Sequence, residues 1–142
     1  MLSNVIYKTA AVAEGGREGH VHSEDGALDI DLVKPKEMGG DGKVGANPET
    51  LFAAGYAACF ESATRLAAAK AGFKVLPGSY VKAEVGIGSR KAGGFELSVI
   101  LTVHMEGLDK QQAEMAAYTA HNEICPYSHA TRNNIRVQLK VI

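Results

Sequence analysis

The stretch ANPETLFAAGYAACFESATRLAAAK, residues 46–70, decides most of the fold. Asn47 is a favoured N-cap residue and Pro48 suits the first helical position, so the sequence predicts a helix that begins there. Gly72 is expected to end this helix at about Ala71. The front half of the stretch, LFAAGYAACF, is apolar on all sides, which indicates a helix that other parts of the molecule cover.

Alternating apolar and polar residues predict β-strands on both sides of this helix. Residues 4–12 are expected to form an opening strand. The segment SRKAGG, residues 89–94, predicts a hairpin turn between two strands that pair antiparallel. The apolar members of the alternating rows are Leu28, Ile30 and Leu32; Val81, Ala83, Val85 and Ile87; Phe95, Leu97, Val99, Leu101 and Val103; and Ile135, Val137, Leu139 and Val141.

A second helix is predicted to begin near Asp109, where DKQQ resembles a capping box, and to end at Cys125 because Pro126 follows. Strands, a long helix, a hairpin, a helix and a closing strand together predict an α+β fold without the regular alternation of a doubly wound fold. No repeat or interdomain linker is evident, so we expect one domain, residues 1–142. The glycine-rich residues 38–47 lack the G-K-[ST] ending of a phosphate loop and predict a loop that leads into the first helix.

Composition excludes several classes of protein. The 15 basic and 16 acidic side chains are interspersed and give a net charge of −1, so charge supports neither nucleic acid nor an anionic membrane as a partner. No secretory signal is evident, and the longest apolar run, residues 51–60, is about half of what a membrane span requires. We therefore expect a soluble cytoplasmic protein, in which two cysteines are too few for a disulfide scaffold.

The two cysteines are Cys59, in the apolar helix, and Cys125, in EICPYSHATRN. A lone cysteine in an apolar helix is usually an inert core residue. Burial raises the pKa of a thiol, so a reactive Cys59 needs a cation, a helix N-terminus or a metal. Cys59 lies about three turns beyond Pro48, which places it outside the reach of the helix N-terminus. Among the cations, Arg17 in the turn EGGREG is the best candidate, although a solvated turn residue is its simpler interpretation.

Two other candidate sites would use histidine. His20 and His22 lie two residues apart and would need both cysteines to complete a zinc site; no C-x2-C pair is present, and we expect no metal. A Cys-His hydrolase pair, in which His121 or His129 is the base for Cys59, stays open as an alternative.

The strings NPETLFAAGYAACF and ICPYSHATRNNI closely resemble the signature regions of the organic hydroperoxide resistance proteins, called Ohr, within the wider OsmC/Ohr family. The resemblance spans essentially the whole chain, including the GREG turn, the glycine-rich loop and the closing strand. It implies an OsmC/Ohr-like fold in which antiparallel sheets pack around a long central apolar helix.

The resemblance also implies an activity, that of a thiol peroxidase that reduces organic hydroperoxides to alcohols. Cys59 in AACF matches the peroxidatic cysteine, and Cys125 in ICPYS matches the resolving cysteine. Arg17 in GREG matches the arginine that stabilises the thiolate, and Glu49 in NPE matches the carboxylate that pairs with this arginine. In such proteins no cofactor is bound, and dihydrolipoyl groups on lipoylated proteins reduce the resulting intramolecular disulfide.

Four apolar residues of the first helix are available to line a pocket for the apolar tail of a hydroperoxide; the alternative is that they belong only to the core. They are Leu51, Phe52, Tyr56 and Phe60. Each methylene of such a tail that the pocket buries contributes about 0.8 kcal/mol to binding. Hydrogen peroxide has no apolar tail, so the pocket would favour organic hydroperoxides over it.

The spacing of Glu49 and Cys59 predicts a homodimer. Ten residues separate them, which is about 15 Å along one helix axis, so one arginine cannot easily reach both within a chain. Two copies of the helix packed antiparallel about a twofold axis bring Glu49 of one subunit near Cys59 of the other, where Arg17 bridges them. We therefore expect an intertwined homodimer with composite sites.

Two readings compete with the leading one. An OsmC-like peroxidase would use the same chemistry with a different substrate balance. A non-catalytic protein would instead use the cysteines to sense redox state or the apolar cavity to bind a lipid.

Overall fold

The computed structural model describes every residue, Met1–Ile142. Its chain divides into two compact units, Met1–Pro48 and Glu49–Ile142. The organisation as one domain, residues 1–142, stays a prediction.

The first unit contains a three-stranded antiparallel sheet in the order β1-β2-β3. A 3₁₀ turn at Gly16–Glu18 joins β1 to β2. Gly15 precedes this turn with φ of 80°, a left-handed conformation that glycine adopts without strain. The strands are β1, Ala11–Glu14; β2, His20–Ser23; and β3, Asp29–Asp31.

The opening strand was predicted over residues 4–12 and is corrected to Ala11–Glu14. Its pairing begins at Ala11, opposite Ser23, and residues 1–10 are exposed in this chain and pair with no strand. Alternation alone does not show where a partner strand stops, which is why the prediction extended too far. The short strand β2 was not predicted, because four residues are too few for a clear period.

The second unit is a three-stranded sheet in the order β4-β5-β6 with three helices. The predicted hairpin is confirmed, since β4 and β5 pair antiparallel along their whole length, from Tyr80 opposite His104 to Ser89 opposite Phe95. The elements are α1, Pro48–Lys70; β4, Tyr80–Ser89; β5, Phe95–His104; α2, Lys110–Thr119; α3, Pro126–Thr131; and β6, Arg136–Val141.

The α+β class is confirmed, but this sheet is mixed and not wholly antiparallel. Strand β6 pairs parallel to β5, with Val99 opposite Val137 and Val103 opposite Val141. A parallel neighbour requires a long crossover connection, and the helical segment between His104 and Arg136 supplies it.

Helix α1 begins at Pro48 and ends at Lys70, as predicted. Gly72 follows with φ of 80° and stops the helix. One side of α1 packs on the sheet, where its aromatic side chains join the core. The fully or almost fully buried members of this core include Tyr56, Phe60, Ala63, Val99, Leu101, Val103 and Ala117. On another side of α1, Ala54 and Ala58 are exposed in the single chain.

The predicted capping box opens α2. The Asp109 side chain accepts a hydrogen bond from the Gln112 N–H, and the Gln112 side chain accepts one from the Asp109 N–H. The predicted end of the helical segment at Cys125 is confirmed, since Cys125 is the residue that follows its last turn. The correction concerns helix type: α2 ends at Thr119, and the remaining turn, Ala120–Ile124, is π-helical. Helix α3 was not predicted, although Pro126, which ends one helix, is well suited to start the next.

Candidate active site

The two cysteines lie together in the second unit. Cys59 projects from α1, and Cys125 stands between the π-helical turn and α3. Their sulfur atoms lie 3.7 Å apart, although 66 positions separate the residues in the chain. Both cysteines are free thiols; Cys59 is half-buried, and Cys125 is buried. A small movement of either side chain would bring the sulfurs to bonding distance.

Each cysteine sulfur accepts a hydrogen bond from a backbone N–H in the first turn of α3. The Tyr127 N–H donates a hydrogen bond to Cys59. The Ser128 N–H donates to Cys125 Sγ over 3.4 Å, which makes Cys125 the N-cap of α3. Pro126 at the start of α3 sets the backbone of this turn, so the CPYS sequence itself directs consecutive amides at the cysteine pair.

The local environment of Cys59 favours its thiol form. Burial is the largest cause that raises the pKa of Cys59, and the neighbouring Cys125 raises it as well. The Tyr127 N–H acts in the opposite direction and lowers this pKa. Because these effects together raise the pKa, a reactive thiolate at Cys59 needs a further positive charge.

The two predicted charged residues lie in different units. Arg17 is half-buried in the 3₁₀ turn of the first unit. Glu49 is half-buried in the first turn of α1. The pairing of Arg17 with Glu49, and its action on Cys59, stay predictions.

A buried hydrogen-bond network lies next to Cys125. Tyr56 Oη lies 2.8 Å from Ser128 Oγ and 3.0 Å from Thr131 Oγ1. His121 Nδ1 lies 2.8 Å from the same Ser128 Oγ. Sequence reasoning assigned Tyr56 to a pocket and missed Ser128 and Thr131, whose only sequence signal is a pair of hydroxyl residues on the inner face of a short helix.

The four predicted pocket residues have different surroundings. Tyr56 and Phe60 are fully buried in the core, with 0% exposure each, while Leu51 and Phe52 are half-buried. An apolar cavity of about 460 Å³ opens beside Phe52. The Phe52 ring also makes an edge contact with Tyr127, with ring centroids 6.1 Å apart. The rest of the lining comes from Leu97, Pro126, Tyr127, Ala130, Thr131, Asn134 and Ile135.

The histidines considered as bases or ligands have other partners. His121 Nδ1 is bonded to Ser128, and His129 Nδ1 lies 3.2 Å from an Arg132 guanidinium nitrogen. In the first unit, His20 contacts Asp31 Oδ1 at 2.7 Å and Asp29 Oδ1 at 2.5 Å. No group of three or more His, Cys, Asp or Glu side chains is placed to hold a metal ion. No helix has the length and apolar character needed to cross a membrane.

We expect His121 to make stability depend on pH. Burial lowers the pKa of His121 below its ordinary value of 6.5, and the Arg132 charge lowers it further. The unfolded chain therefore takes up a proton at this position at a pH where the folded chain does not, so the stability present above pH 6.5 is lost as the pH falls toward the folded-state pKa. The slope from one proton is at most about 1.4 kcal/mol per pH unit.

Urea unfolding at about pH 7.5 and about pH 5.5 checks this expectation. The free energy of unfolding should fall less between these pH values in His121→Asn than in the unsubstituted chain. An equal fall in both proteins would show that His121 does not titrate differently on folding.

The family model described as OsmC-like protein matches residues 39–140. An organic hydroperoxide resistance protein from Xanthomonas axonopodis pv. citri is 48% identical over 136 residues, which are 95% of this chain and 94% of the relative. The organic hydroperoxide resistance protein OhrB of Bacillus subtilis is 40% identical over 137 residues, 96% of this chain and 98% of the relative.

A known crystal structure of a relative has the same fold. An organic hydroperoxide resistance protein OsmC from Legionella pneumophila has a TM-score of 0.90 and 46% identity, with coverage of 97% of this chain and 98% of its own. The cysteine pair thus lies in a fold that this chain shares with proteins named for organic hydroperoxide resistance. The chain belongs to the OsmC-like protein family, and its resemblance to the organic hydroperoxide resistance proteins is confirmed.

Proposed function

We propose that this protein is a cysteine-based peroxidase that reduces organic hydroperoxides to alcohols and contributes to organic hydroperoxide resistance. The observation that carries the proposal is the 3.7 Å approach of Cys59 Sγ and Cys125 Sγ. Proteins named for organic hydroperoxide resistance cover nearly the whole chain at 40–48% identity, which supports the choice of substrate class.

In the first step, the Cys59 thiolate attacks one oxygen of the hydroperoxide. A sulfur–oxygen bond forms, the O–O bond breaks, and the alkoxide leaves as the alcohol after it takes up a proton. Cys59 is the peroxidatic residue because it is the more exposed cysteine of the pair. Peroxide attacks accessible thiols that have a lowered pKa; Cys59 supplies the accessibility, and the lowering of its pKa is assigned to Arg17.

In the second step, Cys125 attacks the sulfenic acid of Cys59. The disulfide forms, and hydroxide leaves as water. This step protects Cys59 from a second peroxide molecule, which would oxidise it irreversibly to sulfinic acid. The short distance between the two sulfurs supports this resolving role for Cys125.

Arg17 is proposed to stabilise the Cys59 thiolate, and Glu49 to orient Arg17. The raised pKa of Cys59 within this chain supports the need for such a cation. An arginine also offers hydrogen bonds to the peroxide oxygen on which negative charge develops.

A homodimer with shared sites is part of the proposal. Ala54 and Ala58 leave a side of α1 open to a second helix. Apolar side chains near the N-terminus also stand exposed, such as Leu2 at 82% and Ile6 at 93%, and exposed apolar surface of this kind often marks a partner contact. A monomer with full peroxidase activity, under conditions where sedimentation detects no dimer, would contradict this part.

The apolar cavity beside Phe52 supports a substrate with an apolar tail, such as an aryl, alkyl or fatty-acid hydroperoxide. Of the proposed pocket residues, Phe52 lines this cavity. Leu51, Tyr56 and Phe60 stay proposed as lining residues, although Tyr56 and Phe60 are fully buried in the core of the single chain. Dihydrolipoyl groups on a lipoylated protein are the proposed reductant, and the cytoplasm stays the predicted location.

The test is turnover of cumene hydroperoxide with dihydrolipoamide as the reductant. We expect one cumyl alcohol for each hydroperoxide consumed, over many turnovers per chain, and much slower consumption of hydrogen peroxide. Equal rates for the two peroxides would contradict the proposed substrate class, and no turnover would contradict the peroxidase.

A second candidate function is lipid binding without catalysis, which the apolar cavity of about 460 Å³ favours. This candidate predicts stoichiometric binding of a fatty acid and no loss of the two thiols when cumene hydroperoxide is added.

A further inference from the structure

The hydrogen-bond network of Tyr56, Ser128, Thr131 and His121 exchanges no bonds in the two proposed peroxidase steps, yet three of its members are buried and His121 is half-buried. Tyr56 and Ser128 are 0% exposed, and Thr131 is 5% exposed. No buried side-chain polar atom lacks a hydrogen-bond partner. A fully satisfied buried network holds its members in one arrangement.

Ser128 joins this network to Cys125 through a single residue. Its hydroxyl lies 2.8 Å from both Tyr56 Oη of α1 and His121 Nδ1 of the π-helical turn. Its backbone N–H donates to Cys125 Sγ over 3.4 Å. Because the two groups belong to one residue, partners that fix the hydroxyl also fix the direction of the N–H.

Helix α3 needs such support because it is only six residues long. A helix this short is not stable by its own hydrogen bonds, and its ends open readily. A second hydrogen bond connects the end of α3 to the π-helical turn, since the Arg132 guanidinium donates to the His121 carbonyl oxygen over 2.6 Å. The turn that carries Cys125 is thus fastened on both sides of the cysteine.

We propose that Ser128 is a positioning residue for the resolving step, in which Tyr56 and His121 hold its hydroxyl so that its N–H stays directed at Cys125 Sγ. This inference rests on the proposed peroxidase function. As the Cys125 thiol loses its proton, the Ser128 N–H stabilises the negative charge on sulfur. The Cys125 sulfur then bonds to the Cys59 sulfur, the S–O bond breaks, and the departing hydroxide takes up a proton to become water.

Ser128→Ala tests this role, with intact mass measured after graded additions of cumene hydroperoxide. We expect the peroxide concentration that gives half sulfinic acid at Cys59 to fall about fivefold to tenfold, because one hydrogen-bonded support is lost. The rate at which Cys59 first forms sulfenic acid, trapped with dimedone, should stay unchanged. Tyr56→Phe removes one of the two hydrogen-bond partners of the Ser128 hydroxyl and should lower this peroxide concentration by a smaller factor.

Thr64→Ala is the matched control. Thr64 is also 0% exposed, and its hydroxyl donates to the Phe60 carbonyl oxygen within α1. His121→Asn is a conservative variant, since the asparagine side chain keeps a hydrogen-bonding atom that can contact the Ser128 hydroxyl in place of Nδ1. We expect near-normal protection of Cys59 in both of these variants.

Protection of Cys59 in Ser128→Ala equal to that in Thr64→Ala would overturn the inference. So would a loss of protection accompanied by an equally slowed first oxidation, because that result indicates general disturbance of the site. Should Ser128→Ala fail to fold, as judged by its thermal melting, the same comparison is made between Tyr56→Phe and Thr64→Ala. If peroxide oxidises neither cysteine of the unsubstituted protein, the proposed function itself is wrong, an outcome distinct from unchanged protection.

Discussion

Cys59→Ser is expected to reduce the rate of cumene hydroperoxide consumption by about a thousandfold or more. The reason is that a serine hydroxyl hardly ionises near neutral pH, so the attacking anion is lost, while Cys125 is almost fully enclosed, with 2% exposure. The fold should change little, since Cys59 is only half-buried. The measurement is the initial rate of peroxide loss with dihydrolipoamide present, together with a count of free thiols.

Ser62→Ala is the matched control for this substitution. Ser62 is an exposed residue of the same helix, three positions beyond Cys59, and its loss should leave the rate unchanged. Retention of a tenth or more of the activity in Cys59→Ser would show that Cys59 is not the peroxidatic residue. Survival of both thiols in the unsubstituted protein after one equivalent of peroxide would make Cys59 an inert core cysteine.

Cys125→Ser is expected to separate the first reaction from repeated turnover. Sulfenic acid should form at Cys59 at the unsubstituted rate, because Cys125 does not take part in the attack on peroxide. Without the nearby thiol, a second peroxide then converts Cys59 to sulfinic or sulfonic acid. We expect activity to disappear after about one turnover at excess peroxide, with two or three oxygen atoms added to the mass of the chain.

Limiting peroxide supplies the control for this second prediction. With less than one equivalent, Cys125→Ser should hold a sulfenic acid that dimedone traps, while the unsubstituted protein should hold a disulfide and lose both thiols. Sustained turnover by Cys125→Ser at excess peroxide would show that Cys125 does not resolve the intermediate.

The long helix and the hairpin were predictable because local rules determine them. Pro48 and Gly72 bound α1, and the alternating rows of β4 and β5 flank a glycine turn, so each boundary has its own signal within a few residues. The parallel placement of β6 has no such signal. Alternation shows that a strand has one buried face, but it does not say which neighbour it pairs with or in which direction.

The site divides in the same way. The two cysteines were identified through the motifs around them, but the 3.7 Å between their sulfurs depends on the packing of α3 against α1, which no short segment encodes. The network around Ser128 was missed for a similar reason. A serine, a threonine and a tyrosine are ordinary residues in sequence, and their importance arises only when folding buries their hydroxyl groups together.

The parallel pairing of β5 and β6 also bears on the order of events during folding. The β4–β5 hairpin is local and can form within microseconds, whereas β6 must wait until the whole segment between His104 and Arg136 has closed into a loop. Cys125 travels on that segment. Because 66 positions separate Cys59 from Cys125, their contact also needs a long loop to close, so we expect the two sulfurs to become neighbours after the local hairpin has formed.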